Sequence, residues 1–124
     1  LSLPEFTNRM LSRGMGKVVI TDGTKGSYLA DSDGIYHCPS LRIKPLGTAG
    51  AGDAFISTIT AQLASGSSAR QALRAATVNA SAVVAVIDTQ SGLLNEQQLG
   101  EKMAEHEDDM PIVFWYWSDL IQST

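Results

Sequence analysis

Two short glycine-containing segments hold the residues with the clearest capacity for chemistry. Gly50-Ala51-Gly52-Asp53 stands directly before a pattern in which Phe55, Ile59 and Leu63 recur at steps of four, as on one face of a helix. Glycines at a helix start let the backbone turn tightly and leave unpaired N–H groups at the positive end of the helix dipole. Gly50, Ala51 and Gly52 are therefore a candidate anion hole of the kind that holds a transferring phosphoryl group. Asp53, in the first turn, is the candidate general base, because a carboxylate beside that hole can take the proton of an alcohol as it attacks phosphorus. The same four residues also suit an ordinary loop with a first-turn acid that supports the dipole. The second segment, Thr21-Asp22-Gly23-Thr24-Lys25-Gly26, follows an apolar strand, at a sheet edge where α/β proteins commonly bind small ligands. Its glycines equally suit a turn into a hairpin.

Competing chemistries are poorly represented. No Gly-x-x-x-x-Gly-Lys-Ser/Thr occurs, which excludes a P-loop, and no Gly-x-Gly-x-x-Gly follows a strand as a dinucleotide site requires. His37 and Cys38 are neighbours in a strand pattern, so they point to opposite faces and cannot chelate one metal together. His106 lies among acids near a helix end and reads as solvated. Ser57, Thr58 and Thr60 read as helix residues facing solvent or the preceding turn rather than as nucleophiles. No metal site is predicted.

The elements that must position these residues can be read from period and caps. Ser2 and Glu5 have capping-box spacing, Phe6 and Met10 share a face, and Gly14 can end a first helix. Val18-Val19-Ile20 is a continuous apolar run, predicting a strand covered on both faces. Short strands are predicted around Ser27–Asp31, Ile35–Cys38 and Leu41–Lys44, antiparallel or edge-like, with a turn at Asp31-Ser32-Asp33-Gly34. The helix of Phe55, Ile59 and Leu63 should end at Gly66. A second helix starts at Ser68 with Gln71 as box partner, its apolar face marked by Ala69, Ala72, Leu73, Ala76, Ala80, Val83, Val84 and Ile87. Asn95 and Gln98 cap a third, with Leu94 and Leu99 as a hydrophobic staple and a body running through Met103. The run from Ile112 to Trp117 lacks clean alternation and is open between a late strand, a docked tail and an interface patch. The order of elements predicts an α/β fold with part of a mixed sheet.

Composition bounds the reading. The chain has 124 residues, 44% hydrophobic and 18% charged, the profile of one folded domain rather than of a disordered or collagen-like chain. Its single cysteine cannot form an internal disulfide, so a reducing compartment, the cytoplasm, is expected. A net charge of -4 with scattered lysines and arginines argues against nucleic acid as a partner. Acids gather at Glu101, Glu105, Glu107, Asp108 and Asp109, a solvated surface by this reading. The longest apolar stretch, Met110 to Trp117, is too short to span a bilayer, so no membrane association is expected. The chain begins with Leu1, which hints at a fragment or a processed product.

The two glycine segments also occur in a recognisable order. Val19-Ile20-Thr21-Asp22-Gly23-Thr24-Lys25-Gly26-Ser27-Tyr28-Leu29, then Thr48-Ala49-Gly50-Ala51-Gly52-Asp53-Ala54-Phe55, then Gln71-Ala72-Leu73-Arg74-Ala75-Ala76 resembles the C-terminal part of the ribokinase-like sugar kinases, the PfkB family. The Gly-Ala-Gly-Asp block is the most specific of these. The likeness runs from about Arg9 to Leu94 and fades from Met103 onward, giving a nucleotide-binding part at 1–94 and a helix with an aromatic tail at 95–124.

The resemblance implies a three-layer α/β fold of ribokinase type, with helices packed on a mixed sheet. It implies that Asp53 deprotonates the acceptor hydroxyl while the amides of Gly50, Ala51 and Gly52 hold the γ-phosphate. It places Thr21, Gly23 and Gly26 near the phosphates and ribose of ATP, and the helix of Thr77 and Asn79 along the adenine, leaving open which of the two faces it. Mg²⁺ would arrive with ATP, held through phosphates, water and residues upstream of this chain. Where the family usually carries an aspartate that helps hold a monovalent cation, this sequence has Gly47, which keeps only a carbonyl, so potassium activation is not expected to follow.

The function expected is an ATP-dependent sugar kinase, transferring phosphate to a primary alcohol, here as a nucleotide-side fragment inactive alone. Its partner would be a small-molecule sugar or related alcohol. The alternatives are a nucleoside or pyridoxal-type kinase of the same fold, or a non-catalytic nucleotide-binding or assembly module. Exposed strand edges and the aromatic run point to self-association or to the remainder of a kinase chain as a protein partner.

Overall fold

A computed structural model describes residues 2–41, 51–84 and 94–120. Its first helix, α1 (Leu3–Ser12), starts where the Ser2 hydroxyl accepts the Glu5 N–H at 3.3 Å and donates to the Glu5 carboxylate at 3.0 Å. Pro4 sits in the first turn, where a missing N–H costs no helical bond. The helix is followed by Gly14 at φ +100. Then come β1 (Val18–Thr21), a short 3-10 turn at Gly23–Lys25, β2 (Ser27–Ala30) and β3 (Gly34–Cys38). The turn between β2 and β3 is held by the Asp31 carboxylate, which accepts the N–H of Asp33 at 2.8 Å and of Gly34 at 3.3 Å.

The aromatic run is a late strand. β4 (Val113–Tyr116) pairs with β3, Gly34 opposite Tyr116 and His37 opposite Val113, giving the sheet order β1-β2-β3-β4. Cross-strand rings supply the register, Tyr36 and Phe114 lying 4.5 Å apart under the Arg70 guanidinium. The Trp117 indole N–H donates to the Asp31 carbonyl at 2.7 Å, tying α5 (Trp117–Leu120) to the β2–β3 turn.

Every pairing among the described residues is antiparallel, so the parallel component of the expected mixed sheet does not occur within them. β1 also differs from expectation. Val18, Val19 and Ile20 are half-buried rather than covered on both faces, and β1 is an edge of the described sheet. An unbroken apolar run shows that both faces are apolar, not that both are covered. Of the strand expected at Leu41–Lys44, Leu41 is not in a strand and the rest lies outside the described residues.

Three helices follow: α2 (Ala51–Ala64), α3 (Ala69–Val84) and α4 (Glu96–Glu105). α2 and α3 pack closely along each other, and α3 lies against β2 and β3. Alanines at 72, 75 and 76 of α3 are fully buried, allowing close approach, while Leu73, Phe55 and Ile59 fill the space beside Leu29 and Cys38 of the sheet. Gly66, at φ +91, follows the end of α2 as expected. The Asn95–Gln98 capping box is complete, with bonds of 2.8 and 3.1 Å. Leu94 and Leu99 both pack on the core, and Met110 is buried in it. The side chains of Val83 and Val84, and Ile87 altogether, lie outside the described part. No helix among the described residues is long and apolar enough to cross a membrane.

Candidate functional site

A cavity of about 410 Å³ opens between the sheet end and the two central helices. Thr21, Gly23, Thr24 and Gly26 form one wall, with Ser27 at the start of β2. Ser40 and Leu41 close it from the segment after β3. The opposite wall comes from Ala51, Gly52 and Phe55 of α2 and from Thr77, Ala80 and Ser81 of α3. This is a volume suited to a small ligand, with apolar surface interrupted by a few hydroxyls.

The loop at Thr21–Gly26 is held by its own backbone and by β3. Asp22 N–H donates to the Gly26 carbonyl at 2.8 Å, and Lys25 N–H to the Asp22 carbonyl at 3.0 Å. From β3, the His37 Nε2–H donates to the Lys25 carbonyl at 2.8 Å, its ring stacked 4.7 Å from that of Tyr28. The Ser40 hydroxyl donates to the Thr24 carbonyl at 2.9 Å. His37, on the face opposite Cys38, thus fixes the loop rather than binding a metal. No cluster of three metal-ligating side chains occurs among the described residues.

The fold therefore gathers Thr21, Gly23, Gly26, Ala51, Gly52 and Thr77 around one space. Asp53 lies next to Gly52 in the first turn of α2, exposed to solvent and outside the lining. Gly50 and Gly47 lie outside the described residues. Asn79 is placed elsewhere: its amide donates to the Thr58 hydroxyl at 2.9 Å and its carbonyl accepts the Leu94 N–H at 3.2 Å. Asn79 is two positions after Thr77, and on a helix that spacing turns the side chains about 200° apart. Asn79 locks α2, α3 and the start of α4 together in the buried interior. Replacing Asn79 by Ala should lower the unfolding free energy by about 1–3 kcal/mol, measured by urea denaturation, since it leaves the Leu94 N–H without its acceptor and removes the bond to the Thr58 hydroxyl.

Thr77 is buried, its hydroxyl donating to the Leu73 carbonyl at 2.7 Å and lying 3.5 Å from the Cys38 sulfur. Burial raises the pKa of the Cys38 thiol above its ordinary value, the Thr77 contact and Arg74 opposing this more weakly. A neutral buried thiol is a core group, not a nucleophile. Phe55 and Ala80 are legible in the sequence only as helix-face residues, and Ser27, Ser40 and Ser81 carry no mark of the site. Ala80 and Ser81 follow Thr77 by three and four residues, a helical spacing that would have found them once Thr77 was placed. Ser40 carries no such signal, because it reaches the site only through the folding of β3.

With this geometry in hand, comparison with known proteins is informative. Residues 4–96 match the family model described as pfkB family carbohydrate kinase. A deoxyribokinase of Salmonella typhi is 28% identical over 98 residues, which are 79% of this chain and 32% of the relative. The chain thus spans about a third of the length of the curated relatives it matches. Among solved structures, the ribokinase of Thermotoga maritima superposes with a TM-score of 0.73 at 23% identity, over 84% of this chain and 35% of the other. The ribokinase of Arabidopsis thaliana, complexed with ribose and ATP, gives 0.72 at 22% identity over 80% and 32%. These likenesses establish a ribokinase-type α/β fold, and the family match extends from α1 into α4 through both glycine segments. The chain belongs to the pfkB family of carbohydrate kinases.

Proposed function

We propose that this chain forms the nucleotide side of an ATP-dependent phosphotransfer site whose acceptor is a primary hydroxyl of a sugar. The observation that carries this reading is the convergence of the Thr21–Gly26 loop with the first turn of α2 on one cavity. Ala51 and Gly52, in the first turn of α2, stand in the cavity wall at the positive end of the helix dipole, and an added Cβ on Gly52 would meet nothing within 4 Å. Negative charge from a triphosphate is stabilised there, while Phe55, Leu41 and Ala80 offer apolar surface to a base. The buried Ser27 hydroxyl, without a protein partner among the described residues, supplies a polar group that a ligand can satisfy. The residues present therefore fit ATP.

In this reading ATP supplies the phosphoryl group and brings Mg²⁺ on its phosphates. The chain's own residues bind and orient. The Thr21–Gly26 loop and α3 hold the nucleotide, and the amides of Gly50, Ala51 and Gly52 stabilise charge on the γ-phosphate. Asp53 accepts the acceptor's proton. Gly47 offers no side-chain oxygen, so we assign no monovalent-cation dependence.

Transfer requires both reactants to be held in line, and the acceptor's site is assigned to the part of the protein that this chain does not span. The purified 124-residue chain should accordingly bind MgATP in a calorimetric titration and form no sugar phosphate when ribose or deoxyribose is added. A folded chain that binds no MgATP overturns the nucleotide assignment. Sugar-dependent turnover overturns the division of labour.

A further inference from the structure

We infer that Ser27 is a ligand-binding residue of the cavity, its hydroxyl forming a hydrogen bond to the nucleoside portion of the bound nucleotide. This rests on the nucleotide-site reading above and adds to it a residue that neither glycine segment contains.

Ser27 is 3% exposed, and its Oγ is the one buried side-chain polar atom without a partner among the described residues. The contrast with the other buried hydroxyls is sharp. Thr7, Thr58 and Thr77 lie in helices, and each donates to the carbonyl four residues back, at 2.9, 2.7 and 2.7 Å. Ser27 opens a strand, where no such carbonyl is within reach, and its own backbone is engaged in pairing with Thr21 and Cys38. A hydroxyl sealed from water without a partner is destabilising, so one that lines a ligand-sized cavity reads as a group completed by the ligand.

Its direction follows from the pleat. Side chains alternate along β2, so Ser27 shares a face with Leu29, which is fully buried in the core under the helices. That face is the cavity side.

Its position along the cavity selects the part of the ligand. Ser27 pairs with Cys38, whose sulfur lies 3.5 Å from the Thr77 hydroxyl. Asn79, two residues on, bonds Thr58 of α2, so this stretch of α3 lies level with the interior of α2, beyond its first turn. The anion-binding amides are in that first turn. Ser27 thus lies level with Thr77 in a cavity whose apolar surface, at Phe55, Leu41 and Ala80, we assign to the nucleoside.

The test is calorimetric titration of MgATP and of adenosine into the wild-type chain, Ser27→Ala and Ser27→Cys, with melting curves of each ligand-free protein. The loss of one neutral hydrogen bond should weaken both ligands about 3- to 10-fold in the Ala variant. The ligand-free melting temperature should stay level or rise, because an unpaired buried hydroxyl is removed. Ser27→Cys keeps the side-chain volume with only a weak donor and should show the same loss of affinity. Unchanged affinity in both variants overturns the inference while leaving the nucleotide site standing, as does a loss for MgATP that adenosine does not share. Lowered melting temperature with unchanged affinity marks a purely structural serine and also overturns it. A wild-type chain that binds neither ligand is instead the failure of the site itself.

Discussion

Asp53→Asn in the active kinase is expected to cut turnover by about 10²–10⁴-fold while leaving MgATP affinity roughly unchanged. The amide keeps the size and shape of the carboxylate but cannot take a proton from the acceptor hydroxyl. Two roles were open for this residue in the sequence, and they differ in what the substitution should do. As a first-turn acid, Asp53 interacts with the dipole of α2 at an exposed position, worth about 0.3–1 kcal/mol and reduced by salt. Among the described residues it forms no ion pair and accepts no hydrogen bond that would make it structurally important. A dipole-supporting residue would thus give a small loss of stability and an unchanged rate. A base gives a large loss of rate and a nearly unchanged urea midpoint. Measuring kcat, nucleotide affinity and the unfolding midpoint on one preparation separates the two, and an unchanged kcat removes Asp53 from the mechanism. In the proposed reading Asp53, next to Gly52 of the cavity wall and exposed to solvent, is open to an incoming hydroxyl. The proton acceptor must face the incoming hydroxyl from beyond the nucleotide.

What the sequence made legible was local. Caps at Ser2, Ser68 and Asn95 were readable because each is satisfied within a single turn, by Glu5, Gln71 and Gln98. The four-residue recurrence of Phe55 and Ile59 was readable because one helix face meets one core. The cavity was readable only through the family likeness, since its walls come from segments distant along the chain. The aromatic run stayed ambiguous for a related reason: β4 is fixed by Tyr36, Arg70 and Asp31, none of them near it in sequence. β1 misled because continuous apolarity does not report whether both faces of a strand are covered. Thr77 and Asn79 came together through the family likeness of their helix, which left open which of the two faces the nucleotide; in the fold Thr77 lines the cavity and Asn79 bonds Thr58. Ser27 offered no signal at all, because a small polar residue opening a strand is ordinary until its burial and missing partner are known.

The glycine at position 26 links the Thr21–Gly26 loop to the sheet, and Gly26→Ala is expected to be strongly damaging. Its backbone lies at φ +100 and ψ -149, a conformation open essentially to glycine alone. An added Cβ would come within 2.2 Å of the Cys38 carbonyl oxygen and 2.9 Å of the Pro39 Cα. Both obstacles are backbone, in and directly after β3, so no side-chain rotation relieves the overlap. Relief requires moving the Thr21–Gly26 turn away from β3, which breaks the bonds from His37 to the Lys25 carbonyl and from Ser40 to the Thr24 carbonyl. The loss should be about 3 kcal/mol or more, lowering the melting temperature by roughly 10 °C or more. Gly23 provides the internal comparison. It too has positive φ, +53, but a Cβ there meets nothing within 4 Å, so Gly23→Ala should cost only about 1–2 kcal/mol. Urea denaturation of the two variants tests the ranking, and MgATP titration at a temperature where both stay folded tests its consequence. Gly26→Ala should bind more weakly than Gly23→Ala, because displacing the turn withdraws one whole wall of the cavity. Equal stability of the two variants would mean that the turn does not press against β3, and the wall it forms would have to be placed anew.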